Sequence, residues 1–284
     1  VLLTLCSLFW AGNSVVGRLA AGHVPPFSLT WMRWGLAFLL LLPLAGRHLM
    51  RDREAIRRQW ALMLVFAATG NGGYNAINYY ALGYTEAINA LLLQSTAPLS
   101  VAIWTFLLFR ERLTAGQALG IVLSLSGAIT IVCRGDFGAL ATIDFNHGDV
   151  WILAALAAYA LYTALLRLRA PMHPLSFLAA TVAASVIVLT PAAAWELATG
   201  QYMRFDAPTL AILAYVAIFP SLVSYLFLNR GVELIGANRA APFIHLMPVF
   251  GSAMAIAFLG ERLHLYHALG YVLVVAGVAI AARR

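Results

Sequence analysis

Apolar runs of about twenty residues, the length an α-helix needs to cross a bilayer, recur ten times along this chain. They occupy 1–21, 27–46, 60–82, 86–108, 115–133, 149–168, 174–197, 208–229, 237–259 and 265–282. A soluble fold cannot hide so much apolar surface: 62% of the 284 residues are hydrophobic, 10% are charged, and the mean hydropathy is +0.85. None of the runs alternates as the strands of a membrane barrel do. Within lipid each span must satisfy its own backbone, so the fold class is all-α, a polytopic membrane protein of ten helices. The first run lacks a small-residue cleavage site and reads as a retained span rather than a signal peptide.

The net charge of +7 comes entirely from arginine on the basic side, since the chain has no lysine. These arginines sit in short connections between apolar runs and form no basic face that would track phosphates, so nucleic acid is excluded as a partner. Their distribution is lopsided. With the N-terminus placed in the cytoplasm, that side holds Arg47, Arg51, Arg53, Arg57, Arg58, Arg110, Arg112, Arg167, Arg169, Arg230, Arg239, Arg283 and Arg284. The opposite side holds only Arg18, Arg134, Arg204 and Arg262. The positive-inside rule then puts both termini in the cytoplasm. Cys6 and Cys133 fall on opposite sides of the membrane, so no disulfide is expected between them.

An internal repeat organises the spans. Shifting the sequence by 150 aligns 86–130 with 236–280 without a gap, and 12 of the 45 positions are identical. The matches include Pro98/Pro248, Glu111-Arg112-Leu113/Glu261-Arg262-Leu263, Ala118-Leu119-Gly120/Ala268-Leu269-Gly270 and Gly127/Gly277. Nearer the start, an offset of 149 pairs Trp10 with Tyr159, Asn13 with Tyr162, Arg18 with Arg167 and Pro25 with Pro174. The chain therefore divides into 1–134 and 135–284, five spans each. Five is odd, so the second half enters the membrane from the opposite side and the repeat is inverted. Inverted halves that rock about a shared central site are a plan of secondary transporters.

The residues that carry this repeat also carry a resemblance. Trp10-Ala11-Gly12-Asn13 in the first span, Pro25 and Arg33 around the second, Pro98 in the fourth and Glu111-Arg112-Leu113 before a glycine-spaced fifth resemble the EamA-type drug/metabolite transporters. The resemblance covers the whole chain and is greatest to bacterial YddG-type exporters. It implies a multi-pass protein of the bacterial inner membrane that exports aromatic and other neutral amino acids, with some tolerance for toxic organic cations, and that needs no cofactor.

Candidate lining residues follow from polar and aromatic side chains inside spans. In the third, Asn71, Tyr74, Asn75, Asn78 and Tyr79 recur at helical spacing and either face a cavity or bond a neighbouring helix. Gly70 and its repeat counterpart Pro220 are candidate kinks. Pro98 and Pro248 each free a carbonyl four residues earlier, at Gln94 and Ile244, and either bend their helices or expose an acceptor for an ammonium group. Gln94, Ser95 and His245 lie beside them, and Ser95 and His245 are repeat counterparts. Trp10, Asn13, Tyr159, Tyr162, Ser224 and Tyr225 complete the set. Arg33, inside the second span, either caps carbonyls, snorkels outward or holds a carboxylate.

Acidic residues stay near span edges, so neither a carboxylate ion-coupling site nor a metal site is expected, and the cavity should be neutral. An intramembrane enzyme would need paired aspartates, an activated nucleophile or a metal-binding pattern. The nearest approach, His264 with His267, has no carboxylate cluster beside it. The rival within transporters is a carrier of drugs or other neutral metabolites. The small-residue spacing Gly116, Gly120, Gly127 serves close packing either within one chain, giving a monomer, or between two.

Overall fold

A computed structural model describes residues 1–20, 24–85, 90, 93–142, 146–259 and 264–283. Glu86, Glu261, Arg262, Leu263 and Arg284 lie outside the described residues, as does the side chain of Arg18. The protein is all-helical and builds ten helices. These are α1 (Leu2–Ala20), α2 (Pro26–Arg58), α3 (Trp60–Phe66 continued by Gly72–Ala81), α4 (Ala97–Phe109) and α5 (Ala115–Val132) in the first half. The second half has α6 (His147–Leu165), α7 (Pro174–Ala198), α8 (Ala207–Ala217 continued by Ser224–Ile235), α9 (Ala237–Ala240 continued by Leu246–Leu259) and α10 (Leu265–Ala282). Among the described residues, six helical stretches are individually long and apolar enough to span a bilayer, and Leu2–Asn13 and Ala97–Phe109 are shorter apolar helices. Leu39, Leu107, Val122, Leu153, Ile187, Leu210 and Val272 point outward, as a lipid-facing belt requires.

Contacts between repeat-equivalent positions fix the relation of the halves. Gly120 of α5 packs on Gly277 of α10, and Gly127 packs on Gly270. Because Gly120 corresponds to Gly270 and Gly127 to Gly277, the two contacts are one contact made twice, which only a two-fold relation produces. The order of the contacts makes α5 and α10 antiparallel, so the halves cross the membrane in opposite senses. The glycines permit this approach: a Cβ on Gly277 would stand 2.4 Å from the Ser124 nitrogen and 2.6 Å from the Gly120 carbonyl.

The α2–α7 pair repeats the arrangement with acidic caps. Glu196, near the end of α7, accepts from Phe27 N at 3.0 Å, Ser28 N at 2.6 Å and Ser28 Oγ at 2.7 Å, and so satisfies orphan donors at the start of α2. At the other end Asp52 of α2 accepts from His173 N at 2.9 Å, just before α7 begins. Each helix thus receives a carboxylate at its N-terminus from its partner's C-terminal part. Glu196 is 2% exposed, more deeply placed than its sequence position at a span edge implied.

Two elements depart from expectation. α2 runs on to Arg58 rather than stopping near 46; at 33 residues it is about 50 Å long against a ~30 Å hydrocarbon core, so its arginine-bearing end projects from the membrane. Hydropathy marks the bilayer boundary, not the helix end. Pro98 and Pro248 do not kink continuous helices: each sits in the first turn of a helical segment, after a turn at 95–96 in one half and the 3₁₀ stretch Ala241–His245 in the other. A proline in a first turn loses no helical bond, because its missing N–H would be unpaired there.

Candidate functional site: the interface between the halves

Three pairs of repeat-equivalent residues meet at the centre of the molecule, where the pseudo-two-fold axis must pass. The Trp10 and Tyr159 rings stand edge to face, 5.9 Å between centroids. Asn75 Nδ2 donates to Tyr225 Oη at 3.3 Å. His245 Nε2 lies 2.7 Å from the Ser95 carbonyl, and since a carbonyl only accepts, this nitrogen carries the hydrogen. Turn geometry before Pro98 frees this Ser95 carbonyl, because Leu99 N bonds Thr96 instead. The other ring nitrogen is 2.7 Å from Ser124 Oγ of α5. His245 is buried as a bridge between α4, α5 and α9 and does not line the cavity described next.

That cavity lies between the halves. Leu3, Cys6, Ser7 and Trp10 of α1 face Ala97 and Val101 of α4, Tyr159 and Thr163 of α6, Leu228 of α8, and Ala240, Ala241, Phe243 and Ile244 of α9. No lining residue is charged. In this conformation it leaves about 20 Å³ for solvent, room for one water. Tyr74 stacks obliquely on Tyr159 at 5.0 Å, and Trp10, Tyr225 and Trp34 continue the aromatic layer. Of the sequence candidates only Trp10 and Tyr159 line the cavity itself.

The remaining candidates fall into polar clusters beside it. Gln94 Nε2 donates to Asn78 Oδ1 at 3.3 Å, Tyr162 Oη to Asn229 Oδ1 at 2.7 Å, and Ser224 Oγ to the Phe219 carbonyl at 3.0 Å. The largest cluster centres on Arg33, which is 1% exposed. Its Nε donates to Ser221 Oγ, and its Nη1 donates to Asn75 Oδ1 and Tyr79 Oη, both at 3.1 Å. Tyr79 Oη passes a hydrogen to Asn13 Oδ1 at 3.2 Å. The guanidinium also lies over Trp34, 5.2 Å from the ring centroid.

Both helices that hold Arg33 carry a π-turn, Ala67–Asn71 in α3 and Ile218–Val223 in α8, at nearly equivalent repeat positions. Gly70 and Pro220 lie inside them. The cluster is anchored on carbonyls in and beside these turns: Asn75 Nδ2 donates to Asn71 O at 2.7 Å, Tyr225 Oη to Gly70 O at 3.3 Å, Ser221 Oγ to Val216 O at 2.6 Å, and Trp10 Nε1 to Pro220 O at 3.1 Å. Sequence reading missed Ser221, which was detectable as the repeat counterpart of Asn71. It also missed Ser7 and Thr163 of the cavity, which hydropathy absorbs into apolar runs.

At the arginine-rich face an open recess of about 250 Å³ is lined by Glu111, Arg112, Thr114, Gln117, Ile235, Gly236, Asn238 and Arg239. Beside it Glu111 ties the halves together, accepting from Arg167 Nη1 at 3.1 Å and from Asn238 Nδ2 at 3.3 Å.

A profile of the EamA-like transporter family matches residues 1–133 and, a second time, 146–283. The chain belongs to the EamA-like transporter family. Its members are transporters, and this chain is a multi-pass membrane transporter, not an enzyme. It is 25% identical to YyaM, an uncharacterized transporter of Bacillus subtilis, over 99% of this chain and 92% of that one. It is 28% identical to an uncharacterized transporter of Archaeoglobus fulgidus, over 98% and 95% of the two chains. A probable amino-acid metabolite efflux pump of Salmonella typhimurium is 26% identical over 98% and 93%. A crystal structure superposes with a TM-score of 0.77 at 19% identity, covering 100% of this EamA chain and 98% of the other, a likeness of fold.

Proposed function

We propose that this transporter exports neutral amino acids, aromatic ones included, by alternating access through the cavity between its halves, as the likeness to YddG-type exporters implies. The arginine-rich face is then cytoplasmic and the membrane is the bacterial inner membrane. The observation that carries this reading is the cavity lining: uncharged and roofed by Trp10 and Tyr159, it suits a flat apolar side chain and penalises a charged one. The efflux-pump name of the Salmonella relative points the same way. The two halves act as rocking bodies, with the π-turns at Gly70 and Pro220 as hinges and the chain working as a monomer.

The test is counterflow in proteoliposomes of labelled phenylalanine, threonine, glutamate and a quaternary aromatic cation, with and without an imposed pH gradient. Saturable exchange of phenylalanine and threonine without a gradient is the expected result. Movement of the cation alone would replace the amino-acid reading with that of a drug exporter, which the same apolar lining also accommodates.

A further inference from the structure

Arg33 lies seven residues into α2, about 10 Å from its start, yet its charge has no acidic partner among the described residues. All its hydrogen-bond partners are neutral. A buried cation without a counter-charge is costly, and neutral acceptors offset that only in part. A purely structural bridge between α2, α3 and α8 would be served by an uncharged amide. The partners are also arranged unevenly around the guanidinium. Ser221 takes the Nε hydrogen and Asn75 with Tyr79 take those of Nη1, so both hydrogens of Nη2 make no bond among the described residues. Trp34 Nε1, on the adjacent residue, is likewise buried without a hydrogen-bond partner. The cluster thus combines surplus donors with a permanent positive charge and lacks an anion.

We propose that Arg33 receives the carboxylate of the transported molecule. This rests on the amino-acid reading above and deepens it: Trp10 of the cavity wall touches Tyr225, Tyr225 touches Trp34, and Trp34 lies under the Arg33 guanidinium, so one zwitterion presents its side chain to the cavity and its carboxylate to the guanidinium when the passage opens. The arrangement also gives the substrate a lever on the hinges. Arg33 holds Ser221 inside the α8 π-turn and Asn75 above the carbonyl of Asn71 in the α3 π-turn. A carboxylate that draws Arg33 toward itself loosens both turns at once, and an occupied site differs from an empty one in both halves.

The experiment is competition against labelled phenylalanine counterflow in proteoliposomes, using phenylalanine, phenylacetate, phenethylamine and phenylalaninamide, with direct binding of the four to detergent-purified protein by tryptophan fluorescence. In the wild type, ligands with a carboxylate should bind about tenfold or more tightly than those without. Arg33→Gln should abolish that preference by weakening only the carboxylates. Arg33→Lys, which keeps the charge but not the fork, should retain part of it. The ligand series needs no mutation, so it can overturn the proposal even if Arg33→Gln does not fold, and Arg33→Lys then attributes any preference that is found. Equal binding of phenylalanine and phenylalaninamide to the wild type overturns the role of Arg33 while leaving amino-acid export standing. Carboxylate-dependent binding of phenylacetate, lost in Arg33→Gln and without phenylalanine exchange, supports the role of Arg33 and overturns the amino-acid reading. No carboxylate preference with any ligand overturns the proposal.

Discussion

The α5–α10 pair and the α3–α8 pair are built from the same repeat but solve opposite problems. At the first, glycines at equivalent positions bring two backbones into contact, and both halves keep the same residues, Gly120 with Gly270 and Gly127 with Gly277. At the second, equivalent positions have diverged: Gly70 corresponds to Pro220 and Asn71 to Ser221, while Asn75 bonds its own counterpart Tyr225. A symmetric contact between helices wants identical small residues on both sides, because any Cβ added to one is repelled by the other's backbone. A site that holds an asymmetric small molecule wants different groups from each half, and a hinge wants helices whose bonding is already irregular. The seam therefore reads as the rigid part of the molecule and the π-turn core as the pliable part.

The largest expected effect tests the rigid seam. Gly277→Leu would drive a branched side chain into the Ser124 and Gly120 backbones at 2.4 and 2.6 Å, where neither neighbour can turn aside. Overpacking of this kind costs about 3 kcal/mol, and more where only backbone surrounds the site. Loss of monodisperse protein in detergent is the expected outcome. A variant that folds and transports normally would show that the seam yields.

Gly73→Ala probes the other region. The π-turn brings the Ala68 carbonyl to 1.7 Å from where a Cβ on Gly73 would stand, so a methyl there requires the turn to straighten. A regular helix tolerates alanine well, and the cost in stability should stay within ~1–3 kcal/mol. Counterflow should fall far more than the melting temperature. If instead the protein unfolds as Gly277→Leu does, the α3 turn is as rigid as the seam and the distinction fails.

How much of this was legible in sequence follows the same division. The seam was partly readable because the repeat preserves it residue for residue: the glycine spacing marked a close helix contact, within one chain or between two, but not which helices make it. Trp10 and Tyr159, matched by offset before any geometry was known, meet at the axis. The core was only half readable. Asn75, Tyr79 and Arg33 were each visible as polar residues inside spans, but their convergence depends on where four helices cross, which no local pattern records. The π-turns left weaker traces in Gly70 and Pro220, since glycine and proline mark many kinds of irregularity. His245 was read as a lining residue, yet the freed Ser95 carbonyl and Ser124 claim both its nitrogens.

His245 joins the two regions, touching α5 of the seam through Ser124 and the α4 turn through Ser95. His245→Ala takes the imidazole from the buried Ser95 carbonyl at ~1–3 kcal/mol, while the Ser124 hydroxyl keeps the Gly120 carbonyl at 2.8 Å. The unfolding midpoint should drop accordingly, less than for Gly277→Leu. His245→Gln should recover part of the loss, because its amide N–H can again reach the Ser95 carbonyl. No loss in either variant would mean that the bridge is dispensable and that seam and core are joined elsewhere.

The smallest effect belongs to a tie outside both regions. Glu111 and Arg167 link the halves at the arginine-rich face with side chains 46% and 53% exposed, so solvent and salt screen the pair. Glu111→Gln removes the charge but keeps an amide oxygen for Asn238, and it should cost less than about 1 kcal/mol, shrinking further at high salt. If the two halves rock as proposed, the pair spans them, so the same energy enters the balance between conformations and shifts their ratio by at most about fivefold. Melting temperature and counterflow rate, each measured at low and high salt, read both quantities. A large, salt-insensitive loss of stability would mean that the halves are locked at this face too, and the pliable core could not then work as a hinge.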